Sequence, residues 1–293
     1  IPRAARSTPK PSSAGSDVYK RQLSGSNTSA DCIGVPSGNY SIPGSPSPIP
    51  CLEGTWQNQT GQPSCMNASA GHYVSNPGSI AEIECSSGTW TNLTGQSACA
   101  LASPGYYVDS NGSTTQTPCP TGSYNFNTGS SNPLDCLYSS PGYYVDQEGQ
   151  SAQTACPAGT YNNITGSTTA DDCIDAEPGY YVTGTKATEK TPCNPGTWQS
   201  ESGMTTCNEA EPGYHVANSG SSEQIACPSG TFQPNFSSID CETAEPGFVV
   251  GLDGMSVASP CPSGTYQSAS GQSSCTDASP GYFVGSPGSS EQT

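Results

Sequence analysis

The chain is 293 residues long, but 34 are glycine, 27 are proline and only 31% are hydrophobic, so it could make two ordinary domains and cannot fill their cores. A formal net charge of −17 excludes nucleic acid and anionic membrane as partners. Fifteen regularly spaced cysteines point instead to a disulfide framework formed in an oxidising, secretory or extracellular compartment.

Residues 1–22 stand apart. Ser16-Asp17-Val18-Tyr19-Lys20-Arg21-Gln22 reads as the translation of a transposase-type sequencing adapter (TCA GAT GTG TAT AAG AGA CAG), so this segment is set aside from the protein chemistry. It holds five of the seven bases, Arg3, Arg6, Lys10, Lys20 and Arg21, and one acid. The remainder has two lysines, Lys186 and Lys190, against 23 acids, a formal charge of −21.

Residues 23–50 are expected to be a partial repeat and a proline-rich connector. Leu23–Cys32 matches Ile164–Cys173 in its glycine and cysteine positions, which makes it the tail of a repeat whose first cysteine would stand at Gly15. Ile42–Pro50 should be extended and semi-rigid. Seven repeats follow: 51–84, 85–118, 119–155, 156–192, 193–226, 227–260 and an incomplete 261–293. The next cysteine falls due at 295, so the array is expected to continue.

Each repeat opens Cys-x-x-Gly-(Ser/Thr)-aromatic, as in Gly54-Thr55-Trp56 and Gly264-Thr265-Tyr266, and a second cysteine follows 14 or 17 residues after the first. Six residues later a glycine opens Gly-aromatic-x-Val, as in Gly105-Tyr106-Tyr107-Val108. These β-favouring clusters sit between Gly, Pro, Asn and Ser, and no helical periodicity is sustained. The fold class is therefore small, disulfide-rich, all-β repeats, an elongated tandem array of short β-hairpin modules with little core. No apolar run reaches the ~20 residues that span a bilayer as a helix, so no membrane insertion is expected.

Cysteine parity leaves two schemes open, since bonds inside the 14- or 17-residue loops and bonds across the 20-residue spacers each leave one orphan. The Cys-x-x-Gly-x-aromatic opening with a cysteine 14 residues on resembles the single-disulfide module of tumour-necrosis-factor-receptor-like repeats. It resembles more closely the ephrin-receptor-like cysteine-rich repeat of surface proteins. Where that repeat has two further cysteines, this chain has Ala176 and Val182, with Ala68, Ala102, Ala210, Ala244 and Ala278 or Ser139 at the first place and valine at the second. That is the pattern left by losing one bonded pair, with alanine and valine packing against each other in its place. The resemblance implies bonds within repeats: Cys51–Cys65, Cys85–Cys99, Cys119–Cys136, Cys156–Cys173, Cys193–Cys207, Cys227–Cys241 and Cys261–Cys275. The aromatic at the head of each repeat should pack on its own disulfide or on the following Gly-aromatic-x-Val strand.

Chemistry is sparse. The only histidines, His72 and His215, occupy positions that are tyrosine in sister repeats. No cysteines have metal-ligand spacing, and no nucleophile elbow or phosphate loop appears. Asp109, Asp146, Glu148 and Asp253 recur too irregularly for calcium sites. The expectation is no enzyme, no metal and no cofactor.

Eight asparagines do stand in Asn-x-Ser/Thr: Asn27, Asn39, Asn58, Asn67, Asn92, Asn111, Asn163 and Asn235. Asn58, Asn92 and Asn163 occupy the same place in three repeats, two residues after the aromatic, which marks one glycan-bearing edge. Together these features predict an extracellular or cell-surface structural glycoprotein that self-associates into a fibre, with covalent glycans as its other partners. A receptor or adhesin ectodomain is the alternative.

Overall fold

The structure, a computed structural model, describes residues 20–22, 32–42, 45 and 47–293. Within these the chain is all-β except for two three-residue 3-10 turns, and all fifteen sheets are two-stranded. One sheet pairs Lys20–Gln22 with Cys32–Gly34. The other fourteen are hairpins of one design: two in each of the first six repeats read from the sequence, one in the seventh and one ahead of Cys51. Seven disulfides clamp alternate modules, which makes the chain a tandem cysteine-rich repeat array.

From Cys51 onward position 1 is small, cysteine in one kind of module and alanine or Ser139 in the other, and it is fully buried, as in Cys51, Ala68, Cys85 and Ala102 at 0% exposure, except at the half-buried Ala278. Successive openers lie 17 residues apart, or 20 in the modules that begin at Cys119 and Cys156. Positions 5 and 6 form a two-residue strand that pairs with the last two residues of the same module, as Thr55–Trp56 does with Met66–Asn67 and His72–Tyr73 with Ile83–Glu84. Position 7 is buried again, alternating between a polar residue, such as Gln57, and valine, such as Val74. Openers and position-7 residues supply nearly all of the narrow core.

Hairpins this short are marginal alone. Their backbone groups are satisfied by the next module. Gly54 N–H donates to the Val74 carbonyl at 2.8 Å, Val74 N–H to Gln96 at 2.9 Å, and Gly78 N–H back to Cys51 at 2.8 Å. The same three bonds recur as Gly196 to Val216, Val216 to Ser238 and Gly220 to Cys193. Position 4 must be glycine for two reasons. Gly54 has φ +80°, and a Cβ there would lie 2.2 Å from the carbonyl oxygen of Gly95, two modules on.

Two units can be distinguished. The first comprises the described residues up to Pro120 with Tyr124–Leu137 and Glu148–Ala152, and the second Thr121–Ser123, Tyr138–Gln147 and Gln153–Thr293. Each is built from the same modules.

Two local features depart from the expected repeat. The stretch expected as a connector carries a hairpin of its own, with Asn39–Tyr40 paired to Ile49–Pro50 and Val35 buried as opener. Gly38, at position 4 of that hairpin, donates to Gln57 at 2.7 Å. The three extra residues of the longer modules form the 3-10 turns Pro133–Asp135 and Ala170–Asp172. Asp135 accepts from Ser131 and Asn132 N–H, both at 3.1 Å, and Asp172 does the same for Thr168 and Thr169 at 2.8 and 3.1 Å. An insertion is thus absorbed as a self-capped turn, with the flanking hairpin intact.

Candidate functional site

The recurring constellation is the closure of each loop, and it comes in two chemical forms. In the cysteine modules, position 1 bonds to the second cysteine in seven disulfides: Cys51–Cys65, Cys85–Cys99, Cys119–Cys136, Cys156–Cys173, Cys193–Cys207, Cys227–Cys241 and Cys261–Cys275, with Cα–Cα distances of 5.6–5.8 Å. Each loop is filled by its position-7 side chain. In the 17-residue modules Gln199 donates from Nε2 to the Thr206 carbonyl at 2.9 Å and accepts at Oε1 from Glu201 N–H at 3.1 Å. Gln57, Gln233 and Gln267 repeat both bonds. In the 20-residue modules Asn125 and Asn162 turn instead to Ser130 and Ser167, at 2.7 and 2.8 Å.

The alanine modules close without a covalent bond. Position 15, where the 17-residue cysteine modules have their second cysteine, accepts the N–H of position 2, thirteen residues earlier. Glu82 accepts from Ser69 at 2.6 Å, Gln116 from Ser103 at 2.8 Å, Gln153 from Ser140 at 2.7 Å, Gln224 from Glu211 at 2.8 Å and Gln292 from Ser279 at 2.7 Å. In one module Lys190 stands there and pairs with Glu177 of position 2, its ammonium 4.2 Å from the centre of the Tyr180 ring. In another the residue is Ala258. Alanine and valine at the places of the missing cysteines are buried, except for the half-buried Ala278, and what holds the loop shut is this side-chain latch.

The latch was missed in the sequence although its signal was there: glutamine or glutamate recurs three residues before the next cysteine at Glu82, Gln116, Gln153 and Gln224. The buried glutamines at position 7 were missed likewise, each directly after the strand aromatic.

Aromatics cover the closures from the preceding module. His215 Nδ1 lies 3.2 Å from Cys241 Sγ, and Tyr181 shares a recess with Cys207. Phe232, the aromatic of a cysteine module, lines a recess with Phe248 of the following strand, and Ala258 lines it too. The indole N–H groups of Trp56, Trp90 and Trp198 are buried with no hydrogen-bond partner in the protein, and other modules have tyrosine or phenylalanine there.

His215, Cys227 and Cys241 form the one cluster of metal-ligating type among the described residues, and both sulfurs belong to a disulfide. The other histidine, His72, has Nδ1 3.3 Å from the Ala70 carbonyl oxygen. Of the acids weighed for calcium, Asp253 accepts the Ser229 N–H at 2.7 Å, a structural role that Asn111 repeats with Ser87 at 2.9 Å.

Asn27 lies outside the described residues. Asn58, Asn67, Asn92, Asn111, Asn163 and Asn235 are exposed. Asn39 is half-buried, and its Nδ2, the atom a glycan would use, donates to the Ser37 carbonyl at 3.1 Å.

No protein-family model matches the chain, and no curated protein matches it. No helix among the described residues is long and apolar enough to cross a membrane. The many disulfides indicate a secreted or extracellular environment.

Proposed function

We propose that this chain is a segment of a non-enzymatic extracellular structural glycoprotein, a rod, stalk or filament built from tandem disulfide-clamped modules. We ascribe its cysteine-rich repeats to the ephrin-receptor-like and tumour-necrosis-factor-receptor-like kind that they resemble in sequence. One observation carries this reading: the same inter-module hydrogen bonds recur from Gly38 to Val284, and no module gives them up to build a site. Modules that bond only to near neighbours propagate as arrays. The acidic surface and the glycans would keep exposed strand edges from indiscriminate pairing, leaving self-association to repeated, specific faces. Small-angle scattering and electron microscopy of residues 23–293 test the proposal. A radius near ~19 Å, the globular value for about 271 residues, would overturn it.

A second reading, a ligand-binding or adhesive ectodomain, has one feature in its favour. Where Ala258 replaces the latch, a recess of about 320 Å³ opens between Phe232, Phe248 and Val257, edged by Glu242 and Glu245. Filling it with Ala258→Gln should leave a fibre unaffected. Loss of cell or ligand binding in that variant, with the fold retained, would favour the ectodomain.

A further inference from the structure

Three of the eight sequons share more than their register. Asn58, Asn92 and Asn163 each stand in aromatic-x-Asn-x-Thr: Trp56-Gln57-Asn58-Gln59-Thr60, Trp90-Thr91-Asn92-Leu93-Thr94 and Tyr161-Asn162-Asn163-Ile164-Thr165. None of Asn39, Asn67, Asn111 and Asn235 has an aromatic two residues before it.

The middle residue of each triplet is buried, Gln57 at 4%, Thr91 at 7% and Asn162 at 0% exposure. Each also pins the far side of the sequon asparagine. Gln57 Oε1 accepts Gln59 N–H at 3.0 Å, Thr91 Oγ1 accepts Leu93 N–H at 3.2 Å and Asn162 Oδ1 accepts Ile164 N–H at 2.9 Å. In each triplet the aromatic ends a two-residue strand, and the exposed asparagine stands two residues on, just past the buried middle residue. At Asn92 that juxtaposition is directly visible. Trp90, Asn92 and Leu93 line one recess of about 300 Å³, completed by Thr91, Gln96, Ala98, Cys99 and Ala100. This is at the small end of small-molecule sites, and its wall is mostly apolar.

We propose that Asn58, Asn92 and Asn163 carry N-glycans whose first N-acetylglucosamine lies against Trp56, Trp90 and Tyr161, making the sugar part of the folded module. The proposal rests on the glycoprotein reading above and adds a structural role at three named sites. Attachment is a transfer from a lipid-pyrophosphate-linked oligosaccharide. The asparagine Nδ2 forms a bond to sugar C1, the C1–O bond to the pyrophosphate breaks, Nδ2 loses one proton, and the lipid pyrophosphate leaves with the electron pair. One face of the sugar ring presents C–H groups, whose positive edge suits the electron-rich face of an aromatic ring. The other sequons lack that platform, so sugars there should extend into solvent.

The test uses the full chain from a eukaryotic secretory host, trimmed enzymatically to one N-acetylglucosamine per site. Site-resolved proton spectra should place sugar resonances at Asn58, Asn92 and Asn163 upfield of those at Asn67, Asn111 and Asn235, through the ring current. Complete removal of the sugar should lower Tm, and by less in Trp90→Leu; Trp90→Phe should restore both the shift and the loss. Should Trp90→Leu fail to fold, Asn92→Gln compared with the trimmed parent gives the same Tm difference. Sugars present at these sites with resonances like those at Asn67 would overturn the proposal alone. No sugar at any sequon would overturn the glycoprotein reading with it.

Discussion

Gln199 spans the loop closed by Cys193 and Cys207, its amide joining the Thr206 carbonyl at 2.9 Å and the Glu201 N–H at 3.1 Å while only 2% of the residue is exposed. A disulfide holds the ends of a loop together, and here a single side chain also fixes its interior. Replacing it by leucine keeps volume and strands two backbone groups. Gln199→Leu is expected to destabilise its module by roughly 1–3 kcal/mol. Hydrogen exchange at the Gly196 and Gly220 amides, which bond to Val216 and Cys193, should speed up accordingly. Unchanged protection would refute the assignment.

The latch predicts opposite outcomes for two substitutions. Gln116→Ala removes the acceptor of Ser103 N–H and should lower stability by about 1 kcal/mol. Ala258→Gln supplies the missing side chain beside Glu245 and should raise it by a similar amount. Thermal melts of the two variants decide the matter, and shifts of the same sign would sink the latch.

The covalent closures are expected to be worth more. Replacing Cys193 and Cys207 together by alanine should cost roughly 2–4 kcal/mol, against about 1 for Gln224→Ala in the adjoining module. Local hydrogen exchange can rank them. Non-reduced peptide mapping that bonded Cys65 to Cys85 would refute the pairing itself.

Two glycines of one module separate conformation from crowding. Gly61 has φ +68° with nothing within 4 Å of a built Cβ, so Gly61→Ala should cost only the left-handed penalty, roughly 1–2 kcal/mol. Gly54 adds the 2.2 Å approach to the Gly95 carbonyl oxygen, so Gly54→Ala should cost on the order of 2–5 kcal/mol and disturb the module beginning at Cys85. Equal effects would mean that the close approach does not shape the array.

Much of this architecture is legible in the letters because glycine, cysteine and aromatic residues recur at fixed offsets. Gly54-Thr55-Trp56 announces a turn and a strand, and the constant register of the cysteines announces the module. What resists reading is side-chain hydrogen bonding. Gln116 and Gln199 look alike in composition, yet one latches a loop from outside and the other fills a loop from within. The proline-rich stretch misled for a related reason: prolines suggest extension, but Pro50 occupies a strand-pairing place filled in sister modules by Pro118, Pro192 and Pro260. No loss is incurred there, because each of these prolines sits on a two-stranded edge where its missing N–H is not required.

Alternating closures also have a mechanical meaning. Under tension applied along the backbone, a cystine loop cannot lengthen, since its ends are covalently fixed, whereas a glutamine-latched loop can release the twelve residues between positions 2 and 15 at about 3.5 Å each. The chain would then behave as inextensible links joined by yielding ones, absorbing work in small steps without breaking a covalent bond and recovering when the load is removed. Single-molecule stretching should show it directly. Reduction of the disulfides ought to add a second, longer set of extension steps, and a force curve indifferent to reductant would contradict this division of labour.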